Sequence, residues 1–317
     1  MMKERIGNKH KKDSGRLLVQ AAWTALTNGY LYGFISGKIY KGPGKYLCVP
    51  GLNCYSCPGA LGSCPIGALQ AVVTARKFQL SCYVFGLLML FGSVFGRFVC
   101  GWLCPFGLVQ DLLYRVPTPT KLPVLKKLLK KRRSLPGEGY LRMVKYVVLA
   151  LLVLILPAVI VNIVGIGKPW FCQYVCPSGT LMGGIPLLIT NPELRKAAGW
   201  LFSWKMGLLL ATVILSIKLP RPFCRYICPL GAIYGAFNPI SMFRLRIDES
   251  ACITCGKCQK ACPMDIEVWK KPNSAECIRC GACAGECPVG AIERCGLWRR
   301  KKAGAFRAVC HFKQEYH

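Results

Sequence analysis

Two stretches near the end of the chain carry the same spacing of cysteines: Cys252-Ile-Thr-Cys255-Gly-Lys-Cys258-Gln-Lys-Ala-Cys262-Pro263 and Cys277-Ile-Arg-Cys280-Gly-Ala-Cys283-Ala-Gly-Glu-Cys287-Pro288. In this spacing three thiolates of one run bind three irons of a cubane. The fourth cysteine, turned away by the following proline, binds the other cluster. The sequence therefore predicts two [4Fe-4S] centres.

The spacing also divides the eight cysteines between the centres. One centre is predicted to be held by Cys252, Cys255, Cys258 and Cys287. The second is predicted to be held by Cys262, Cys277, Cys280 and Cys283. A structural zinc site or disulfides are the alternatives, and two complete repeats favour the clusters. Since no substrate-binding motif accompanies them, electron transfer is the expected role.

The composition of the remaining chain is that of a membrane protein. Of 317 residues, 53% are apolar, and 43 basic residues against 13 acidic ones give a formal charge of +30. The basic residues are segregated between apolar stretches, so membrane topology explains the charge better than nucleic-acid binding does. With eight of 21 cysteines at cluster spacing, disulfides are not the main use of cysteine.

Apolar runs at about 17–36, 80–98, 146–164 and 201–217 predict four transmembrane helices. The basic N-terminus and the basic segment 115–145 place both termini in the cytoplasm. Segments 65–78 and 181–190 are too short or too mixed to span and suit interfacial or re-entrant pieces. The expected fold is a membrane all-α bundle with a two-fold internal repeat (1–240), followed by a small α+β ferredoxin-like domain with a basic tail (241–317).

A second cysteine pattern, Cys-x3-Cys-Pro, recurs in the membrane part and ends predicted helices. Two such pairs facing each other would form a four-thiolate site, and the pattern predicts one on each face of the bilayer. The inner set is Cys100, Cys104, Cys224 and Cys228. The outer set is Cys54, Cys57, Cys64, Cys172 and Cys176. Because Cys-x3-Cys places residues at i and i+4, both sulfurs are expected on one helix face.

These sets support the hypothesis of further iron–sulfur centres that relay electrons across the ~30 Å hydrocarbon core. The alternatives are buried packing cysteines or outer disulfides. The four cysteines outside these patterns are expected to be structural or free thiols: Cys48, Cys82, Cys295 and Cys310.

Histidine is scarce, and its positions exclude one class of cofactor. His10, His311 and His317 all lie in terminal segments, and there is no Cys-x2-Cys-His sequence. Bis-histidine haem within the membrane and c-type haem are therefore not expected. The basic run 126–133 is expected to contact anionic lipid.

Together these motifs resemble the NapH/MauN-type membrane polyferredoxins, over Cys54 to Cys287. The resemblance implies a multi-pass protein of a bacterial or archaeal cytoplasmic membrane, with the ferredoxin domain in the cytoplasm. It also implies a quinol dehydrogenase component, or an electron feeder to an extracytoplasmic reductase. The sequence Cys54-Tyr-Ser-Cys57-Pro58 and the third complete Cys-x3-Cys-Pro phrase, at Cys172, depart from the family pattern.

Three functions remain open at this point. The first is an electron-transfer subunit of an oxidoreductase, between a cytoplasmic or quinol donor and a flavin- or haem-carrying extracytoplasmic partner. The second is a thiol- or metal-handling assembly factor that uses the Cys-x3-Cys-Pro cysteines. The third is a membrane anchor for a ferredoxin.

Overall fold

The computed structural model describes residues 2–74, 81–116, 137–161 and 167–295, with side chains from Gly15 onward. The helices of the first part are α1 (Met2–Thr27), α2 (Leu31–Ser36), α3 (Pro65–Thr74), α4 (Ser81–Phe95), α5 (Phe98–Trp102) and α6 (Pro105–Arg115). Then follow α7 (Glu138–Val159), α8 (Trp200–Lys218), α9 (Pro222–Tyr226) and α10 (Pro229–Phe237). Short helical turns between Phe171 and Lys196 connect α7 to α8.

Two helices in the described part are long and apolar enough to cross a membrane, α7 with 22 residues and α8 with 19. At 1.5 Å per residue, α8 is about 28 Å long, close to the thickness of a hydrocarbon core. Only 17% of the most apolar window of each helix is buried within the protein, so both expose apolar side chains. The prediction for 201–217 matches α8 to within a residue at each end. The end of the third predicted span, 162–164, lies outside the described residues.

The other two predicted spans are interrupted. In the first, α1 ends at Thr27 and α2 begins at Leu31. The second contains α4, of 15 residues, and then turns at Gly96, whose φ of +54° favours glycine. A Cβ at Gly96 would lie 2.4 Å from the Asn238 amide oxygen, so only glycine fits this turn. The start of this predicted span, Leu80, lies outside the described residues.

The Cys-x3-Cys-Pro phrases do not continue one helix, in contrast to the sequence prediction. Cys100 lies in α5, whereas Cys104 has an extended backbone and Pro105 begins a new helix, α6. In the same way Cys224 lies in α9 and Cys228 precedes Pro229, the first residue of α10. Proline suits the first position of a helix because no N–H is needed there. The phrase therefore joins two helices through an extended cysteine instead of placing both sulfurs on one helix face.

The C-terminal domain is built around two short helices, α11 (Lys257–Ala261) and α12 (Ala282–Glu286), one for each cysteine motif. Its strands, β1 (Arg244–Ile247) and β2 (Ile292–Cys295), pair antiparallel, with Ile247 opposite Ile292. The sheet thus closes the domain by joining its first residues to its last described ones.

A buried ion-pair network joins this domain to the helical part. The Glu276 carboxylate accepts hydrogen bonds from Lys145 of α7 and, at 2.8 Å, from Arg97, the residue before α5. Both cationic side chains are fully buried. Burial alone would raise the pKa of Glu276, but Arg97 and Lys145 outweigh it and hold this pKa below its usual value. Arg142 also donates to the carbonyl of Met264 at 2.8 Å.

We expect the Glu276→Ala substitution to destabilise the protein by about 3–5 kcal/mol, because it leaves two buried cations without their carboxylate. The measurement is thermal unfolding of the detergent-solubilised protein. The matched control is Glu267→Ala, since Glu267 pairs with Lys270 on the surface and such pairs contribute about 0–1 kcal/mol. Equal stability of the two variants would show that Glu276 does not hold the two parts together.

Candidate metal centres

The first ferredoxin group surrounds a small pocket. Its lining includes the cysteines Cys252, Cys255, Cys258 and Cys287. Three of these come from one motif and Cys287 from the other, which is the division that the spacing predicts. Cys255 is exposed, so the group reaches the protein surface.

The second ferredoxin group lies deeper in the protein. Burial raises the pKa of Cys262 to about 12, and the neighbouring thiols of Cys280 and Cys277 contribute to the rise. The pKa of Cys283 is raised by burial and then by Cys280, Cys277 and Cys262. The Cys262 thiol of the first motif therefore lies among the three thiols of the second.

The backbone of the two motifs has the same unusual conformation at matching positions. Positive φ angles occur at Thr254 and Gly256 in the first motif and at Arg279 and Gly281 in the second. Backbone N–H groups then donate to cysteine sulfurs, as that of Arg279 does to Cys277. This wrapping fits an anionic metal–sulfur group, because hydrogen bonds to its ligands orient them and stabilise their charge.

Four further thiols form a compact group that we call the Cys100 set: Cys100, Cys104, Cys224 and Cys228. All four are at most 5% exposed. Burial raises the pKa of Cys228, and Cys224, Cys100 and Cys104 add to the rise, so the thiols are mutual neighbours. The structure thus brings together the four residues that the sequence predicts for the inner set.

Two buried arginines connect the two halves of the Cys100 set. Arg97, three residues before Cys100, donates to the carbonyl of Cys224 at 2.9 Å. Arg221, three residues before Cys224, donates to the carbonyl of Cys100 at 2.5 Å. Asp111 in turn accepts two hydrogen bonds from Arg221, at 2.7 and 2.6 Å. Sequence reasoning missed these arginines, although the signal Arg-x2-Cys-x3-Cys-Pro is present at both places.

The glycine of each Cys-Pro-x-Gly sequence forms a hydrogen bond with the cysteine three residues before it. Its backbone N–H donates to the cysteine sulfur in all four copies: Gly67 to Cys64, Gly107 to Cys104, Gly179 to Cys176 and Gly231 to Cys228. A Cβ at Gly107 would lie 3.2 Å from the Cys100 carbonyl oxygen, and one at Gly231 equally close to that of Cys224. Glycine therefore leaves room where the chain folds back on the first cysteine of these two phrases.

The remaining group, which we call the Cys54 set, consists of Cys54, Cys64, Cys172 and Cys176. These thiols line an open cavity of about 720 Å³. Lys205 of α8 also lines it and donates to the carbonyl of Cys172 at 3.2 Å. Cys57, predicted as a fifth member, lies buried beside Cys54 and Lys45 instead, so the predicted outer set divides into four thiols and one neighbour.

The Cys54 and Cys100 sets are adjacent, whereas the sequence predicts them on opposite faces of a bilayer. The backbone N–H of Leu52 donates to the sulfur of Cys104, and Cys54 follows two positions after Leu52. Two residues of chain span at most about 7 Å. Burial raises the pKa of Tyr234, and the thiols of Cys100, Cys64 and Cys104 add to the rise, so members of both sets lie near this phenol. The segment 47–64 folds back toward α6, which no local sequence signal indicates.

The cysteines outside these groups and the flanking aromatic residues have other environments. Cys82 is exposed, Cys48 is partly buried, and Cys310 lies outside the described residues. The indole N–H of Trp102 donates to the carbonyl of Arg279 at 3.2 Å, so this residue connects the domains. Within the described ranges, no three or more His, Cys, Asp or Glu side chains lie close enough to share a single metal ion. A cubane has no such requirement, because its cysteines bind different irons.

Comparison with protein families supports iron–sulfur centres in both parts of the chain. A 4Fe-4S binding domain model matches residues 83–136, 149–189 and 200–247, and each of these stretches contains one Cys-x3-Cys-Pro phrase. A 4Fe-4S dicluster domain model matches residues 244–288. No solved structure matches.

The curated relatives agree with these models. An uncharacterized protein of Methanocaldococcus jannaschii is 31% identical over 67% of this chain and 69% of its own length. The methylamine utilization ferredoxin-type protein MauN of Methylorubrum extorquens is 26% identical, over 62% of this chain and 59% of its own length. The ferredoxin-type protein NapH of Haemophilus influenzae is 26% identical, over 59% of this chain and 54% of its own length.

The chain belongs to the NapH/MauN-type polyferredoxins. The resemblance stated from its motifs is confirmed, and with it the role of an iron–sulfur electron transport protein. The matched segments cover little more than half the length of the MauN and NapH relatives, so the activities of those whole proteins are not carried over here.

The arrangement of this polyferredoxin predicts that Cys287→Ser and Cys262→Ser perturb different centres. Cys287 lines the first pocket and Cys262 lies among the thiols of the second motif. Electron paramagnetic resonance of the reduced protein should show a different signal altered in each variant. Cys82→Ser, at an exposed thiol outside the groups, should alter neither. If both substitutions alter the same signal, the division of ligands is wrong.

Proposed function

We propose that this polyferredoxin conducts electrons through four cysteine groups in series: the first ferredoxin group, the second ferredoxin group, the Cys100 set and the Cys54 set. Bound [4Fe-4S] clusters would supply the one-electron chemistry at each group. The observation that carries the proposal is that each described group contacts the next through residues directly beside its cysteines. The protein's own side chains hold the groups in this order.

The contact between the second ferredoxin group and the Cys100 set is direct. Gly101, next to Cys100, lies so close to Ile278, next to Cys277, that a Cβ there would be 2.3 Å from the Ile278 carbonyl oxygen. Arg97 lies between the same groups, since its charge lowers the pKa of both Cys277 and Cys100 against the effect of burial. Because Gly101 has no side chain, the second ferredoxin group and the Cys100 set can lie close enough together for electron transfer.

The two ends of the series are the places where partners have access. At one end Cys255 is exposed, and at the other the Cys54 cavity is open and carries the cation of Lys205. We propose that a soluble redox molecule or a redox protein binds at the first end, beside Cys255. A quinol or an extracytoplasmic redox protein, flavin- or haem-carrying, would meet the second. Helices α7 and α8 would anchor the chain in membrane lipid, and the interrupted segments 17–36 and 80–98 would complete a multi-pass bundle.

An assembly factor that handles a metal or reduces thiols is the second candidate. The observation in its favour is that Cys57 lies beside Cys54, so that an additional buried thiol adjoins the Cys54 set. The assembly factor and a simple membrane anchor both differ from the four-group electron carrier in the number of iron atoms that they require.

Iron and acid-labile sulfide measured in anaerobically purified protein separate these candidates. Four cubanes give about 16 irons per chain, and the ferredoxin groups alone give about eight. The double variant Cys104→Ser and Cys228→Ser should lose about four irons, and Cys82→Ser should lose none. An iron count of about eight in the unaltered protein, with or without bound copper, would overturn the four-group proposal.

The proposed order of the groups also predicts where a quinol analogue delivers electrons. Menadiol added to the oxidised protein should reduce the ferredoxin clusters at a rate that a stopped-flow instrument resolves. The variant Cys176→Ser, which alters only the Cys54 set, should slow this reduction at least about tenfold while dithionite still reduces the ferredoxin clusters. Equal rates for both proteins would show that quinol does not enter at the Cys54 set.

A further inference from the structure

Two buried glutamines occupy the same position after two of the Cys-Pro-x-Gly sequences. They end the stretches Cys64-Pro-Ile-Gly-Ala-Leu-Gln70 and Cys104-Pro-Phe-Gly-Leu-Val-Gln110, six residues after the cysteine in each case. Gln70 is fully buried and Gln110 is 1% exposed. Burial of a primary amide is costly unless it is hydrogen-bonded, so the partners of these side chains indicate their role.

Each glutamine donates to a cysteine of the opposite phrase. The amide Nε2 of Gln110 lies 3.1 Å from the sulfur of Cys224, and that of Gln70 lies 3.8 Å from the sulfur of Cys172. In both cases the acceptor is the first cysteine of a Cys-x3-Cys-Pro phrase. The second cysteine of each phrase accepts a hydrogen bond from the glycine N–H described above. The first cysteine accepts its hydrogen bond from the glutamine side chain instead.

The two amides differ in how firmly they are held. The Oε1 atom of Gln110 accepts the backbone N–H of Phe223 at 3.1 Å, which fixes Nε2 toward the sulfur of Cys224. The Oε1 atom of Gln70 is buried with no hydrogen-bond partner among the described residues. The Gln110 contact is therefore short and oriented, and the Gln70 contact is long and held at one end only.

We propose that Gln110 and Gln70 are positioning residues that set the reduction potentials of the centres at the Cys100 and Cys54 sets. The inference rests on the proposed function. One-electron reduction, with the neighbouring centre of the series as donor, adds one negative charge and makes or breaks no covalent bond. A hydrogen bond to a ligand sulfur stabilises that added charge and raises the potential. The Gln110 bond, being shorter, raises the potential of its centre more than the Gln70 bond does.

Redox titration followed by electron paramagnetic resonance tests this inference. The component lost in Cys104→Ser belongs to the Cys100 set, and the component lost in Cys64→Ser belongs to the Cys54 set. In Gln110→Leu, at the midpoint potential of the unaltered protein, the ratio of reduced to oxidised Cys100 component should fall about tenfold. For a one-electron couple this fall equals a potential lower by ~59 mV. Gln70→Leu should leave this component unchanged and lower the Cys54 ratio by about threefold.

A second variant keeps the test decisive if Gln110→Leu does not retain its iron. Gln110→Glu preserves an acceptor for the Phe223 N–H but replaces the donor to Cys224 with an anion, so it should lower the ratio at least as far as Leu does. A midpoint unchanged in an iron-loaded Gln110 variant overturns this inference and leaves the proposed function intact. Absence of any component that depends on Cys104 in the unaltered protein overturns both.

Discussion

The buried contact between Arg97 and Glu276 is the constraint on which the relation of the two parts depends. A guanidinium remains charged at any pH at which the protein is folded, so its burial must be compensated by a carboxylate and by carbonyl oxygens. Arg97 obtains these from Glu276 and Ala275 of the ferredoxin domain and from Cys224 of the helical part. Neither part alone provides all of them. The ion pair and hydrogen bonds that the buried Arg97 requires therefore hold the second ferredoxin group against the Cys100 set.

The same requirement explains the arrangement around Asp111. Burial would raise the pKa of this carboxyl, but Arg221 and Arg16 outweigh it and hold the pKa below its usual value. The Asp111 carboxylate thereby compensates the buried positive charge of Arg221. Arg221 also donates a hydrogen bond to the carbonyl of Cys100. Four cations thus accompany two carboxylates beside the four buried thiols: Arg97 and Lys145 pair with Glu276, and Arg221 and Arg16 pair with Asp111. Arg97 and Arg221 each belong to one phrase and bond to the other. Such a set of charges suits an anionic group held between the phrases.

The sequence predicts those features that depend on local spacing. The Cys-x2-Cys-x2-Cys-x3-Cys-Pro runs give the division of the ferredoxin cysteines, because the turns of each loop are set within a few residues. Length and apolar content give α8 almost to the residue. The proximity of the four thiols of the Cys100 set also agrees with the repeated Cys-x3-Cys-Pro spacing, because both phrases were expected at the same ends of neighbouring helices.

Features that depend on long-range packing are not available from the sequence. The Cys54 set was predicted a membrane thickness away because Cys54 and Cys64 follow a predicted first span, yet Leu52 bonds to Cys104 through a loop whose path only tertiary contacts determine. The break of the first span between Thr27 and Leu31 has the same origin, because the backbone N–H of Tyr30 bonds to the carbonyl of Gly59 at 3.1 Å. Cys57 was assigned to the outer set by spacing alone, and the structure places it beside Cys54 and Lys45, outside the lining of the Cys54 cavity.

The adjacency of the Cys54 and Cys100 sets bears on the role of helices α7 and α8. If the sets were on opposite faces, electrons would have to cross an apolar layer of ~30 Å between them. In the proposed series that crossing would be replaced by a short step, because the backbone of Leu52, two residues before Cys54, bonds to the sulfur of Cys104. Helices α7 and α8 would then hold the groups beside the lipid instead of separating them. The open cavity would be the route by which a partner reaches the Cys54 set, because a site beside the Cys100 set is enclosed by protein on its other sides.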